Sequence, residues 1–586
     1  MCTTQEWFEI RKAGDYAAMG RALGISPVTA RVMANRGVSP EDMETFMTAG
    51  CEMLHDGRLM KDFDRLCEIL AQKIKEKKRI RVIGDYDVDG VCSSYILEHM
   101  IRDCFWAIHP EEEEVPVDSR IPHRVRDDYG INMKMIDEAI GDGVDTIITC
   151  DNGISAYDEC VYARGKGLTY LVTDHHEIPY RDEDEQRIYV LPPADAVVDP
   201  MREDCGYPYS RLCGAGVAFK ISVYMLKSYT SLSEYKYLDM AALATVADVM
   251  PLTGENRIIV REGLKKLTHT ENIGMRALLD VCSLTEGTPI SVYHCGFVIG
   301  PRINATGRID SADLARSLLD STDHDEAQKI ALLMNELNAQ RVELTREGQA
   351  RAEAMLEAQA VLDDVLVVYL PDCHESLAGL IAGRLKEKYY HPAIVITRSR
   401  DGVKGSARSI EGYHMYESLN RIADLFSKFG GHAMAAGLSM QAQSDEEAFD
   451  RVEEFRRRIN TDTGLSEESF VKKIRFDAIL PFGAVSENLA SELEKLAPFG
   501  TDNPAPLFAC KNVTFSNGTV RGATGKVYVA KATDEDGVTL EAKAFGEGVK
   551  IQETLEDGGR HSVIYKVVVD EYRGRRKIQI QIEAWR

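Results

Sequence analysis

The sequence predicts an α/β chain. A doubly wound parallel-sheet domain is joined by a long helix to a smaller α/β domain, and a C-terminal OB-like β-barrel follows. Three observations predict this. Short β-branched apolar runs alternate with helical segments from Ile80 to Val198, the pattern of βαβ units. The stretch from Ser311 to Leu362 is rich in Ala, Leu, Glu and Arg and meets few helix breakers. Beyond Leu465, polar and apolar residues alternate as they do in half-buried strands.

The elements follow in order. From Asp15 to about Ala49 the pattern is helical, in two short amphipathic segments that open on Ser26-Pro27 and Ser39-Pro40. A helix over Met60–Lys75 leads to a strand at Ile80–Ile83. Strands at Thr146–Thr149, Leu168–Thr173 and Ala196–Val198 alternate with helices such as Asn132–Gly141 and Ala156–Lys166. Apolar runs of this kind suit a parallel sheet covered on both faces. A second α/β segment begins at Asp364–Tyr369 and continues through Ala393–Thr397 to about Asn460. Lys526–Ala530, Val538–Ala542, Val563–Val569 and Lys577–Ile582 supply a small antiparallel barrel. The expected divisions are 1–50 (helical), 51–310, 311–362 (the connecting helix), 363–460 and 465–586. The acidic runs Glu111–Glu114 and Arg181–Glu185 read as solvated loops.

Bulk properties exclude several classes. A chain of 586 residues exceeds one hydrophobic core, so several domains are expected. No apolar run reaches membrane-spanning length and the first residues lack a secretory pattern. Thirteen cysteines without a C-x-x-C pair fit reduced thiols, so a cytoplasmic location without membrane contact is expected. Net charge is −24, which argues against a broad basic face for duplex DNA but leaves room for a local basic groove.

The chemistry starts at Asp85-Tyr-Asp87-Val-Asp89-Gly90, which opens like an EF-hand loop. Position 12 of such a loop would be Ile96 rather than glutamate, and a strand rather than a helix precedes it. The other runs end the same way, in Asp151-Asn152-Gly153, Asp174-His175-His176 and Asp199-Pro200, and the small-residue stretch Met240–Ala247 ends in Asp248. A single aspartate after a strand is ordinary turn chemistry. Several clusters on one sheet edge place carboxylates and imidazoles in one crevice, where divalent cations would offset their repulsion. Mixed Asp/His donors suit Mn²⁺ or Mg²⁺, and two such ions form the clamp used for in-line attack on phosphorus.

DYDVDG, CDNG, DHH and TVAD, in that order, resemble the DHH phosphoesterase superfamily. Further matches are similar to its RecJ nuclease family: Gly300-Pro-Arg-Ile-Asn-Ala-Thr-Gly-Arg308, Gly405-Ser-Ala-Arg-Ser409, Gly430-Gly-His-Ala-Met-Ala-Ala-Gly437 and Leu496-Ala-Pro-Phe-Gly500 with Asn503-Pro504. The resemblance runs from Leu23 to the terminal barrel and names the two α/β domains DHH and DHHA1. It implies Asp87, Asp89, Asp151, His175 and Asp248 as metal ligands, with Asp85 and His176 alongside as catalytic groups. His176 suits either ligation, orienting the phosphate, or protonating the departing oxygen. Asp199 stands between a ligand and a plain turn residue.

For substrate, the resemblance implies Arg302, Asn304 and Arg308 in a glycine-punctuated loop, and also His374. Ser406 and Arg408 would grip a 5′-terminal phosphate, with Lys404 adding charge, and Gly430, Gly431 and His432 would offer bare backbone to nucleotide phosphates. Three places depart from the family pattern: Cys373-His374, Pro122-His123-Arg124, and an insertion over Tyr180–Leu191. The implied activity is metal-dependent 5′→3′ degradation of single-stranded DNA to nucleoside 5′-monophosphates, in repair and recombination. A monomer working beside a single-strand-binding protein and a RecQ-type helicase is implied with it. The competing expectations are an oligonucleotide or cyclic-dinucleotide phosphodiesterase with the same two domains, and a scaffold that has lost its ligands.

Overall fold

The structure, a computed structural model, describes residues 5–123, 130–183, 186–309, 312–522, 524–572 and 575–586. It divides into two compact units, one of residues 9–335 and 475–586, the other of residues 336–474 with the N-terminal residues to Phe8. Arg124, Asp184, Glu185 and Ser311, which belong to stretches singled out above, lie outside the described residues.

The first unit is built on a five-stranded parallel sheet in the order Val117–Arg120, Ile80–Ile83, Thr146–Cys150, Thr169–Thr173, Ala196–Val198. Both faces are covered. Ile80, Val82, Ile148 and Leu171 pack with the helices Phe63–Lys75, Val88–Ile108 and Gly214–Tyr229 on one side. Ile83, Ile147, Tyr170 and Val172 pack with Met133–Gly141 and Tyr157–Gly165 on the other. This is why Ile80–Ile83, Thr146–Cys150, Thr169–Thr173 and Ala196–Val198 read as mostly apolar runs, unlike the edge strand Val117–Arg120 with its Asp118 and Ser119. Arg81 is a buried charge among them; its guanidinium is held by Asp118 of the adjacent strand at 2.6 and 2.9 Å and by Asp142 at 2.8 Å.

The stretch Met240–Ala247 lies in a helix, Leu238–Ala247, whose small residues permit close packing. A Cβ on Gly263 of the neighbouring helix Gly254–Thr268 would stand 2.4 Å from Ala242 Cβ. The insertion after the third acidic cluster forms a hairpin, Tyr180–Glu183 with Gln186–Tyr189, so the acidic run expected there as a loop is in part strand.

The C-terminal strands close on themselves. Phe508–Arg521 pairs with both Val527–Thr533 and His561–Tyr572, and the ring is completed through Thr539–Phe545 and Arg575–Trp585. The long first strand was not visible in the sequence pattern, because its register shifts at Cys510/Val513 and Ser516/Thr519 break the alternation. The N-terminal helices share the barrel's core, with Val32, Met33 and Met43 clustered with Phe482, Phe508 and Tyr565.

The second unit carries a five-stranded sheet in the order Lys428–Gly431, Ala435–Gln441, Gly402–Arg408, Ala393–Ser399, Leu366–Tyr369. Only the last two strands named run parallel to each other. Among the described residues no helix is long and apolar enough to cross a membrane.

Arg257 joins the parts of the first unit. Its guanidinium lies buried over the Phe46 ring at 4.1 Å and donates to the carbonyls of Phe46, Leu496 and Lys495 at 3.1, 2.7 and 2.9 Å. Arg257→Met keeps the apolar stem but orphans buried carbonyl oxygens, at a cost of about 2–4 kcal/mol. The thermal midpoint should fall by several degrees; a midpoint unmoved by the substitution would show that the joint is held elsewhere.

Candidate metal centre

Numbered along the chain, the five parallel strands follow the order 2-1-3-4-5. In such a sheet the chain leaves in opposite directions from the first and third strands and opens a crevice beyond their carboxyl ends. Ile80–Ile83 and Thr146–Cys150 are those strands, and they deliver Asp85 and Asp151.

Beyond Ile83 the turn is tight: a Cβ on Gly90 would lie 2.3–2.5 Å from the Asp85 backbone, so only glycine fits. Asp87 caps the helix Val88–Ile108, its Oδ1 accepting from the Asp89 and Gly90 N–H groups at 2.9 and 3.1 Å. Asp89 reaches a second helix start. Its two oxygens accept from the Gly214 and Ala215 N–H groups at 2.7 and 2.8 Å, across 125 and 126 residues of chain. Two helix N-termini therefore face these carboxylates and favour their charge.

Asp151 has φ +60°, a left-handed conformation that aspartate tolerates better than most residues. The next residue pins the turn: Asn152 donates to the Ile83 and Cys150 carbonyls at 3.1 and 2.9 Å. His175 stands among the carboxylates, with Nε2 at 3.1 Å from Asp151, 3.5 Å from Asp89 and 3.8 Å from Asp248. Asp248 arrives as the residue that caps the C-terminus of the buried helix Leu238–Ala247. Asp174 plays a part the sequence did not disclose. Its Oδ1 holds His176 Nδ1 at 2.7 Å and its Oδ2 accepts from the Ile154 N–H at 2.9 Å, locking the two loops together.

Burial and the neighbouring Asp89 push Asp87 above the usual carboxylate range. Burial, then Asp89, Asp87, Asp85 and Asp248, push Asp151 well above it. Burial with Asp89 and Asp87 raises Asp248 to about 8. Burial lowers His175. Burial also opposes charge on His176, yet the bond to Asp174 outweighs it and raises this imidazole to about 9. Asp199 is raised to about 8 by burial and by Asp174, and its Oδ1 accepts from the Met201 N–H at 2.7 Å, a turn contact.

Among the described residues, three trios bring one donor atom each within 4.8 Å of the others: Asp85, Asp87 and Asp151; Asp89, His175 and Asp248; and Asp151, His175 and His176. The first two trios share no residue, and Asp151 and His175 link them through the third. Like charges packed this closely are what divalent cations relieve, and an oxygen-rich set with imidazole suits Mn²⁺ or Mg²⁺. The residues fit a two-ion centre.

The other candidates fall into two places. Arg302, Asn304 and Arg308 lie on a helix, Gly300–Ile309, and not in a loop. Arg302 donates to Asn335 at 2.9 Å and to the Val298 carbonyl at 2.7 Å. Asn304 Oδ1 accepts from the Val88 N–H at 3.2 Å, so it supports the helix that carries Asp87 and Asp89. In the second unit, Arg408 donates to the Ala407 carbonyl at 2.8 Å and approaches Ser406 Oγ at 3.4 Å. Both lean on the first turn of the helix Ala378–Tyr389: a Cβ on Gly379 would meet Ser406 Oγ at 2.8 Å and Arg408 Nη2 at 2.9 Å. A hydroxyl, a guanidinium and a helix N-terminus together suit an anion. His374 caps the short turn before this helix and bonds Ser376 at 2.7 Å, while Lys404 pairs with Glu375 at 3.1 Å. Gly430, Gly431 and His432 are exposed at the edge strand, and Gly431 has φ +142°. His123 is half-buried, and no role emerges for it.

The raised groups give a signed expectation. Without cations the folded protein keeps a proton on Asp248 that the unfolded chain has released, so this contribution to stability is lost as pH rises through about 8. Cations replace that proton. The rise in thermal midpoint on adding Mn²⁺ to chelator-treated protein should therefore be larger at pH 8 than at pH 6, and an equal or smaller rise would contradict the site.

Three family models match the chain: "DHH family, N-terminal domain" over residues 79–245, "DHHA1 domain" over 362–458 and "RecJ OB domain" over 476–584. The single-stranded-DNA-specific exonuclease RecJ of Bacillus subtilis is 32% identical over 571 residues, covering 96% of this chain and 68% of that protein. The protein of the same name from Salmonella typhimurium is 32% identical, covering 95% and 96%. RecJ of Thermus thermophilus, solved with Mn²⁺, superposes with a TM-score of 0.79 at 25% identity, covering 100% of this chain and 79% of that one. Fold, acidic crevice and similarity along the whole chain agree, and the chain belongs to the RecJ family of exonucleases.

Proposed function

We propose that this protein is a metal-dependent exonuclease that degrades single-stranded DNA in the 5′→3′ direction to nucleoside 5′-monophosphates, with Mn²⁺ or Mg²⁺ as cofactor, in DNA repair and recombination. The observation that carries the reading is His175 within 3.1–3.8 Å of Asp151, Asp89 and Asp248, carboxylates from three separate motifs. Asp85, Asp87, Asp89, Asp151, His175 and Asp248 would hold the cations. When bound, the ions neutralise charge that develops on the phosphoryl oxygens and assist in-line displacement.

The chain's own groups do the rest. His176, held protonated by Asp174, is placed to give a proton to the departing 3′ oxygen. Its side chain is 45% exposed, so it can reach a substrate. Ser406 and Arg408 take the 5′-terminal phosphate, and the glycines Gly430 and Gly431 let the backbone of the strand lie close. Arg302 and Arg308 contact phosphates, and Asn304 keeps the acidic helix in place. The barrel also binds the strand. On the same reading the protein works as a monomer in the cytoplasm, beside a single-strand-binding protein and a RecQ-type helicase that supply unpaired strands.

Asp151→Asn keeps a residue that tolerates the left-handed backbone while removing a charge shared by two donor trios. It should lower release of mononucleotides from a long 5′-phosphorylated strand by at least about a hundredfold, and chelation of the wild type should do the same. Full activity in either case would refute the two-ion reading. Asp89→Ala is a poorer test, because it also removes the acceptor of two N–H groups and should lower stability by about 1–2 kcal/mol.

Arg408→Ala should reduce kcat/KM on 5′-phosphorylated strands more than on 5′-hydroxyl strands, by about tenfold or more. Equal losses on both would remove Arg408 from end recognition.

A further inference from the structure

Two buried cysteines beside the metal centre make the same contact, and cation binding does not call for either thiol. Cys213 stands just before the helix Gly214–Tyr229, whose first two N–H groups go to Asp89. The third, on Gly216, donates to Cys213 Sγ at 3.3 Å. Ser, Thr, Asp and Asn are the usual caps of a helix start, and sulfur is a weak acceptor, so capping alone does not explain a cysteine there. The same sulfur lies 3.5 Å from Thr245 Oγ1, on the helix that ends at Asp248. Thr245 has one hydroxyl hydrogen and donates it to the Ala241 carbonyl at 2.7 Å. The thiol is therefore the donor between them.

Cys150 repeats the arrangement. It precedes Asp151, and its sulfur lies 3.5 Å from Ser94 Oγ on the helix Val88–Ile108. Ser94 donates its hydrogen to the Gly90 carbonyl at 2.8 Å, so again the thiol is the donor. All four side chains are shut off from solvent, and thiols so buried keep their protons. The two pairs divide the ligands between them. Cys213 belongs to the helix start that cradles Asp89, and Thr245 to the helix that delivers Asp248; these carboxylates form a donor trio with His175. Cys150 ends the strand that delivers Asp151, and Ser94 lies on the helix that Asp87 caps; these carboxylates form a trio with Asp85.

We propose that the two thiol–hydroxyl pairs are clasps, one for each cation, and that Cys213, Thr245, Cys150 and Ser94 are positioning residues of the metal centre. Cys213–Thr245 sets the spacing of Asp89 from Asp248, and Cys150–Ser94 sets the spacing of Asp87 from Asp151. The proposal deepens the two-ion reading and rests on it. Repulsion drives each set of carboxylates apart, while a bound cation demands donor distances held to about 0.2 Å. A bond between the two carriers opposes that drift before the cation arrives. Groups behind the ligands commonly change metal affinity by about tenfold or more when they are removed.

The test counts the Mn²⁺ left free, by its electron paramagnetic resonance signal, as chelator-treated full-length protein is titrated. The wild type should take up two ions. Thr245→Val keeps the shape of the side chain and removes the hydroxyl. It should weaken one ion about tenfold and the other by less than about threefold. Ser94→Ala should show the same split with the two ions exchanged. Thr245→Ser, which keeps the hydroxyl, should hold both affinities within about threefold of the wild type. The Mn²⁺-induced rise in thermal midpoint should shrink in Thr245→Val and Ser94→Ala and persist in Thr245→Ser. Affinities left intact in both hydroxyl-free variants, whatever the metal-free midpoint does, would reduce the pairs to packing and overturn the clasps. Equal losses on both ions in each variant would overturn them too. If Thr245→Val fails to fold, Cys213→Ala, which removes the sulfur of the same pair, reads the same outcomes. A wild type that takes up fewer than two ions would sink the two-ion reading and the clasps with it.

Discussion

Carboxylates gathered around one buried imidazole repel one another, and the architecture of the first unit holds them against that repulsion. Asp87, Asp151 and Asp248 all bind protons more tightly than free carboxylates, the sign of a group kept where its charge is unwelcome. Three devices keep them there. The strand order brings two acidic turns to one crevice, and the N-termini of Val88–Ile108 and Gly214–Tyr229 direct N–H groups at Asp87 and Asp89. A helix of small residues then sinks far enough into the core to deliver Asp248. Cation binding resolves the conflict that folding leaves in place, so binding and stability are coupled through the same side chains.

The same constraint explains what lies around the centre. Asn152 spends both amide hydrogens on the ends of two strands. Asp174 ties His176 to its own loop and receives an N–H from the next. Asn304 reaches the first N–H of the acidic helix. None of these groups belongs to a donor trio, yet each fixes one that does. A loosened neighbour would let the carboxylates drift apart, since repulsion drives them in that direction.

Much of this was legible in the chain itself. β-branched runs ending in aspartate mark parallel strands that feed a crevice, and period alone separates them from the barrel strands. What stayed hidden depends on contacts remote in sequence. Nothing near Asp89 announces that Gly214 and Ala215 will donate to it. Gly300–Ile309 reads as a loop because two glycines and a proline outweigh its helical neighbours, whereas packing lets it coil: a Cβ on Gly307 would stand 2.7 Å from the Tyr86 carbonyl. Bulges erased the alternation of Phe508–Arg521, and the N-terminal helices gave no sign that Met33 and Met43 would complete the barrel's core. The Tyr180–Leu191 insertion was visible as extra length, but its form as a hairpin depends on pairing that its acidic composition disguises.

The proposed end recognition would follow from electrostatics of the opposite kind. Burial lowers the pKa of Arg408, and among the described residues it pairs with no carboxylate; its partners are the Ala407 carbonyl and the Ser406 hydroxyl. A partly buried cation with no carboxylate partner gains from an incoming anion and loses when a neutral end occupies its place. Cleavage between the 3′ oxygen and phosphorus leaves the shortened strand with a new 5′-phosphate, so each turnover would regenerate the group proposed to bind at Arg408. Gly430 pairs across the sheet with Gly437, and Gly437 with Ser406, so bare backbone continues the face on which Ser406 stands. Cross-strand neighbours share a face, so Gly430 and Gly437 lie on the face that carries Ser406. On the proposed reading, a demand for a terminal phosphate, renewed by the chemistry, would give the enzyme its direction without any contact that reads sequence.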